Sequence, residues 1–220
     1  LAALRSLVKL ARLIGAADFS LDVASVKSES YRDTRGPGLV GVRSMLENLT
    51  RKTSPKSLRD AALVHLLFDL GLRRGEAVAL DLVDVDFQAG TVSILGKGRT
   101  EKEALTLPET TRAALEAWTA ARGGAPGPLF VNMDRARKGD RLTGRSVARL
   151  VGSLGEAVGL TVRPHGLRHA AVTAALDLTG GDVRKVQRFS RHRDLRTLTK
   201  YDDNRLDLGG DVARLVAAGV

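Results

Sequence analysis

Val83-Asp84-Val85-Asp86-Phe87-Gln88-Ala89-Gly90-Thr91-Val92-Ser93-Ile94-Leu95-Gly96-Lys97-Gly98-Arg99 is the stretch in which the chain changes its period. Upstream of it, Leu63, Leu66, Leu67 and Leu70 recur at the spacing of one helix face and stop at Gly71. Within it, Val83, Val85 and Phe87 alternate with Asp84, Asp86 and Gln88, the period-two signature of a half-buried strand. Ala89-Gly90 makes a turn, Thr91 to Leu95 continues as a second strand, and Glu103 to Leu107 gives a third. A small three-stranded antiparallel sheet in an otherwise helical chain makes the fold class α+β, mostly helical. The turn Gly96-Lys97-Gly98-Arg99 projects a lysine between two glycines.

Downstream, Pro108 opens a helix carrying Leu115 and Trp118, which ends at the Gly123-Gly124-Ala125-Pro126-Gly127-Pro128 loop. Thr143 can cap the next helix, whose Val147, Leu150, Val151, Leu154 and Val158 face one way while Arg145 and Arg149 do not. Arg163-Pro164 opens another helix, Gly180-Gly181 separates it from the following one, and Val212, Leu215 and Val216 mark a last amphipathic segment. Upstream, Leu4, Leu7, Val8, Ala11 and Ile14 form a helical stripe ending at Gly15, and a second helix is expected from about Leu39 to Arg51. The run Arg51-Lys52-Thr53-Ser54-Pro55-Lys56 is basic and broken by proline. The expected organisation is therefore a helical domain over residues 1–52, a linker at 53–57, and a larger domain over 58–220.

The chain has 220 residues, with 35 Lys and Arg against 25 Asp and Glu, a net charge of +10. That excess points to a polyanion partner, because neutralising each phosphate releases condensed counterions. Aromatic residues make up only 4%, too few for the stacking platforms that hold single strands, so duplex DNA is the expected polyanion. With 43% hydrophobic and 27% charged residues the composition is globular, and no apolar run reaches the roughly 20 residues of a spanning helix. Zero cysteines exclude disulfides, thiol nucleophiles and cysteine-ligated zinc, and a reducing cytoplasm fits that composition, with nucleoid association expected of a protein that acts on duplex DNA.

Some polar residues stand where a plain core-and-surface pattern does not need them. Arg73 directly follows the leucine-rich helix in Leu70-Gly71-Leu72-Arg73-Arg74-Gly75-Glu76. In Pro164-His165-Gly166-Leu167-Arg168-His169, the spacing puts His165 and Arg168 on one helical face, and His165 with His169 as well. The histidine pair invites a zinc reading, but the second position of a His-Glu-x-x-His motif is not Glu and no cysteine completes a site. Tyr201, one of only two tyrosines, follows His192 in the polar setting Thr199-Lys200-Tyr201-Asp202-Asp203. His65, within the apolar helix, reads as structural.

Taken in order, these boxes resemble the tyrosine recombinases, the group containing phage and transposon integrases and the Xer-type resolvases. Gly71-Leu72-Arg73 with Glu76 is similar to that family's first arginine box, and Gly96-Lys97-Gly98 to its β-hairpin lysine. His165-Gly166-Leu167-Arg168-His169 resembles its His-x-Leu-Arg-His box, and His192 and Tyr201 its terminal histidine and nucleophile. The family usually reads Leu-Gly-His before the last histidine, whereas this chain reads Phe189-Ser190-Arg191-His192.

The resemblance implies strand cleavage by phosphoryl transfer to a side chain, with Arg73, Lys97, His165, Arg168, His192 and Tyr201 catalytic and no metal or cofactor. It implies a covalent 3′-phosphotyrosyl intermediate, duplex DNA as substrate rather than a small molecule, and further protomers, four on the paired DNA. Arg135, Arg137, Lys138, Arg141, Arg145 and Arg149 are candidate phosphate contacts. Residues 207–220 are a candidate segment for docking onto a neighbouring protomer, and residues 1–52 resemble only the last part of the family's DNA-clamping domain, so upstream helices are expected to be absent. Two other readings share the motifs: a nicking-closing topoisomerase of the same chemistry, and a DNA-binding regulator with a degenerate site.

Overall fold

The structure is a computed structural model that describes residues 2–21, 36–192, 194, 195, 198, 214 and 216–219. The chain divides into two compact units, Leu1–Asp33 and Thr34–Val220. The first contains helix α1, Ala2–Leu13, closed by a turn at Gly15. In the second, α2 (Gly38–Thr50) and α3 (Pro55–Asp69) are separated by a few residues only. Ser54 caps α3, its side chain accepting the Ser57 N–H at 3.1 Å, with Pro55 at the first helical position where its missing donor is harmless.

The division comes earlier than the linker expected at 53–57. Val42, Met45 and Leu49 of α2 are buried in the same core as Leu63, Leu66 and Leu67 of α3, so α2 packs as part of the second unit. Burial of three apolar side chains outweighs the basic, proline-broken appearance of the connection.

After α3 the chain passes through Gly71, whose φ of +54° carries it out of the helix, into the short helix α4 (Arg74–Ala79). Three strands follow, β1 (Val85–Asp86), β2 (Thr91–Leu95) and β3 (Lys102–Thr106), paired antiparallel in the order β1-β2-β3. Val85 lies opposite Val92, Val92 opposite Leu105, and Leu95 opposite Lys102. Val92 and Ile94 of β2 point into the core.

The first strand is shorter than its alternation implies. Leu82–Asp84 forms a 3₁₀ turn, because the Asp84 carboxylate folds back to accept the Asp81 N–H at 2.9 Å and also pairs with Lys102. Asp84 is thereby buried and Val83 is turned outward, 82% exposed. The third strand sits one residue earlier than Glu103–Leu107.

Helix α5 (Glu109–Arg122) lies on α3, with Leu115 and Trp118 fully buried and the Trp118 indole donating to the Leu129 carbonyl at 2.9 Å. His65 faces Asp69 at 2.8 Å, and Asp69 also accepts from Thr111 of α5, a structural role for that histidine. Thr143 caps α6 (Gly144–Glu156) by accepting from the Ser146 N–H at 3.1 Å. Helices α7 (Pro164–Leu178) and α8 (Val183–Ser190) complete the described architecture. A second small apolar cluster joins Val172 and Leu176 of α7, Val186 of α8 and the buried Leu198. Among the described residues no helix is long and apolar enough to cross a membrane.

Candidate active site

Four segments far apart in sequence deliver side chains to one cleft of about 750 Å³. The turn after α3 supplies Arg73, the β2–β3 turn supplies Lys97, the first turns of α7 supply His165 and Arg168, and the turn after α8 supplies His192. Lys97 reaches the cleft from a tight turn closed by the Arg99 N–H to Gly96 carbonyl bond at 3.0 Å, with Gly98 at φ +75°, the backbone that a type II turn requires at that position. Tyr201 lies outside the described residues, as does most of 207–220; Leu198, three positions earlier in sequence, is buried against α7 and α8.

The two guanidiniums are held in different ways. Arg73 is partly exposed and is clamped by Glu76, whose carboxylate accepts from its Nη1 at 2.7 Å and from its backbone N–H at 2.8 Å. Arg168 is 2% exposed and donates to the carbonyls of Gly71 and Ser190, with His192 Nε2 at 3.4 Å from its Nη2. A buried charge is tolerable only with such satisfied partners. His192 Nδ1 lies 2.8 Å from Ser190 Oγ, and the Gln187 amide donates to the His192 carbonyl at 3.1 Å. With Nε2 accepting from Arg168, this network fits the neutral imidazole protonated on Nδ1.

The electrostatics follow from this crowding of cations. Burial, then the charges of Arg168 and Arg73, depress the His165 pKa. The same causes hold His192 down at about 4. His169, whose ring meets that of His165 edge-on with centroids 4.1 Å apart, is also lowered to about 4, by burial and then the charges of His165 and Arg168. Burial pushes the Glu76 carboxyl up, but its hydrogen bonds from Arg73 and the charges of Arg191 and Arg73 together bring it below the ordinary value. The result is neutral imidazoles beside permanent positive charge, a site shaped for an anion. Among the described residues no group of His, Asp and Glu is arranged to hold a metal ion.

Sequence reasoning missed several neighbours of these groups. Arg74 and Arg163 also line the cleft. Each has a residue already singled out as its immediate neighbour or helix start, which was the available signal. Arg191 packs behind Arg73, bonded to Glu76 at 3.3 Å, and its only sequence signal was the departure from Leu-Gly-His.

The candidate phosphate contacts fall elsewhere. Arg137, Arg141, Arg145 and Arg149 line a second groove of about 910 Å³ together with Lys52 and Lys56. Arg135 and Lys138 are exposed but are not part of its wall. Arg141 is tied down by the carbonyls of Val78 and Leu80, at 2.9 and 3.0 Å, and by Asp81 at 2.5 Å. Helix α6 stands between the two concavities, with Ala148 lining the first cleft and Arg145 and Arg149 the groove.

Comparison with known proteins bears on the family and the fold. Residues 41–206 match the model of the phage integrase family. A tyrosine recombinase of Synechocystis sp., slr0733, is 42% identical over 210 residues, covering 93% of this chain and 67% of that protein. Among solved structures, the XerH site-specific recombinase bound to palindromic difH substrate superposes with a TM-score of 0.72 at 21% identity, over 90% of this chain and 60% of that one. The Tn1549 transposon integrase in complex with transposon right end DNA gives a TM-score of 0.73 at 16% identity, over 98% of this chain and 77% of that one. With two arginines, a hairpin lysine and two histidines converging on one cleft, and a family match over most of its length, the chain belongs to the phage integrase family of tyrosine recombinases.

Proposed function

We propose that this tyrosine recombinase cleaves and rejoins duplex DNA at a specific site through a 3′-phosphotyrosyl intermediate, with further protomers completing strand exchange. The observation that supports the reading best is the convergence of Arg73, Lys97, His165, Arg168 and His192 on one cleft.

Tyr201 is the nucleophile. Its phenol, ordinarily titrating near pH 10, attacks poorly until a base takes its proton. His165, neutral because its pKa is depressed, is free to accept that proton as the phenolic oxygen bonds to phosphorus. Negative charge grows on the non-bridging oxygens, where the guanidiniums of Arg73 and Arg168 supply fixed, always-charged donors. The bond from phosphorus to the 5′-oxygen breaks, and Lys97 gives that oxygen its proton. His192 sits beside Arg168, placed to hydrogen-bond the phosphate, whose charge raises the imidazole pKa when DNA is bound. The phosphotyrosyl ester retains the energy of the broken linkage, so a 5′-hydroxyl reverses the reaction. A hydroxyl from the original strand restores the duplex; one from a partner strand completes exchange.

The test is covalent trapping. Wild-type protein incubated with sheared genomic DNA is expected to form adducts stable to detergent, whose sequences reveal the site, and Tyr201→Phe is expected to form none. Equal adduct yield from the two proteins would overturn the assignment of Tyr201.

A further inference from the structure

Arg191 stands where the family usually places glycine, and it adopts the glycine-like backbone, with φ 55° and ψ 37° at the end of α8. A residue with a Cβ is strained in that region, and such strain persists only where surrounding contacts over-determine it. The contacts are present. The guanidinium, on a side chain only 6% exposed, donates to the carbonyls of Leu70 at 3.1 Å, Gly71 at 3.2 Å and Phe189 at 3.0 Å, and to Glu76 Oε2 at 3.3 Å. It is absent from the lining of the cleft that holds Arg73, Lys97, His165, Arg168 and His192.

Its partners are the supports of the residues that do line the cleft. Glu76 is shared between Arg73 and Arg191. The Gly71 carbonyl is shared between Arg168 and Arg191. Arg73 Nη2 in turn approaches the Arg191 carbonyl at 3.3 Å, and Arg168 binds the carbonyl of Ser190. One buried fork therefore ties the turn that carries Arg73 to the turn that carries His192, two segments about 120 residues apart. Glycine at this position would relieve the strain and remove the tie.

We propose that Arg191 is a positioning residue for strand cleavage, holding Arg73 through Glu76 and fixing the turn that carries His192 and offers the Ser190 carbonyl to Arg168. The inference rests on the recombinase reading above. Its role is to keep two guanidiniums and an imidazole within the narrow geometric tolerance of in-line transfer, so its loss slows chemistry without loosening DNA.

The test uses a nicked suicide duplex built on the site recovered by covalent trapping, with single-turnover adduct formation at saturating protein and Kd measured separately. Arg191→Gly, which keeps the backbone conformation, is expected to form adduct at least about tenfold more slowly than wild type with Kd changed less than about twofold. Glu76→Gln is expected to behave likewise, and the double variant to be no slower than the slower single, because both act along one path. Arg191→Lys, which retains charge but not the fork, is expected to fall between wild type and Arg191→Gly, and carries the test if the glycine variant fails to give a cooperative melt. An adduct rate for Arg191→Gly within about twofold of wild type would overturn the inference, as would a double variant whose loss equals the product of the singles. If wild type itself forms no adduct, the recombinase reading falls and the inference with it; if only the variants keep pace with wild type, the inference alone falls.

Discussion

Arg168 and Lys97 share a cleft but not an environment, and their loss should separate catalysis from stability. Arg168 is almost wholly buried and satisfies two carbonyls, whereas Lys97 stands exposed on its turn. Arg168→Ala is expected to reduce adduct formation by about 10³-fold or more and to lower stability by about 2 kcal/mol or more, since the Gly71 and Ser190 carbonyls lose their donor. Lys97→Ala is expected to reduce adduct formation by about 10²–10⁴-fold while leaving stability within about 0.5 kcal/mol. Thermal melts read beside single-turnover trapping check both. The histidines give a pH signature with a definite sign. His169 and His192 are held at about 4 in the folded chain, below the ordinary histidine value, so the unfolded chain binds protons the folded one refuses. Their contribution is fully present above about pH 6.5 and is lost as pH falls from there towards 4, at up to about 1.4 kcal/mol per pH unit for each group. Denaturant melts at pH 7 and pH 5 should show the loss, and His192→Gln should reduce the difference by about half.

At the scale of elements, α6 is an N-capped helix with two working faces. Val147, Val151 and Leu154 are buried on one, while Arg145 and Arg149 line the basic groove on the other. Thr143→Ala removes the acceptor for the Ser146 N–H, and is expected to lower stability by about 1 kcal/mol and to weaken duplex binding, because the first turn that carries Arg145 frays. The long amphipathic helices and the Thr143 cap were readable because several residues repeat one period. Helix α4 was not, since six residues between Arg74 and Ala79 carry too few apolar positions to show a period. The strand read over Val83–Phe87 misled because Asp84 and Asp86 occupy the positions that alternation assigns to a solvent face. The short capping bond from Asp84 to the Asp81 backbone wins over the extended form there.

For the whole molecule, the net charge of +10 predicts salt-sensitive association with duplex DNA. The logarithm of the binding constant should fall linearly with the logarithm of salt concentration, and Arg145→Ala or Arg149→Ala should each flatten the slope by about one. Arg141→Ala should flatten it less, because that guanidinium is already occupied by two carbonyls and Asp81. Filter binding across a salt series distinguishes the three. The helical fold class with its small sheet, the expected polyanion partner and the candidate chemistry-bearing side chains were legible in the amino-acid order alone, because composition, period and motif order are local properties of the chain. Three-dimensional packing alone reveals that α2 belongs to the second unit, that the basic residues form a groove separate from the cleft, and that Arg191 and Arg73 share Glu76. Those facts depend on pairings between residues as far apart as Gly71 and Arg191, whose separation is fixed by the packing of α3, α7 and α8 and leaves no trace in local spacing.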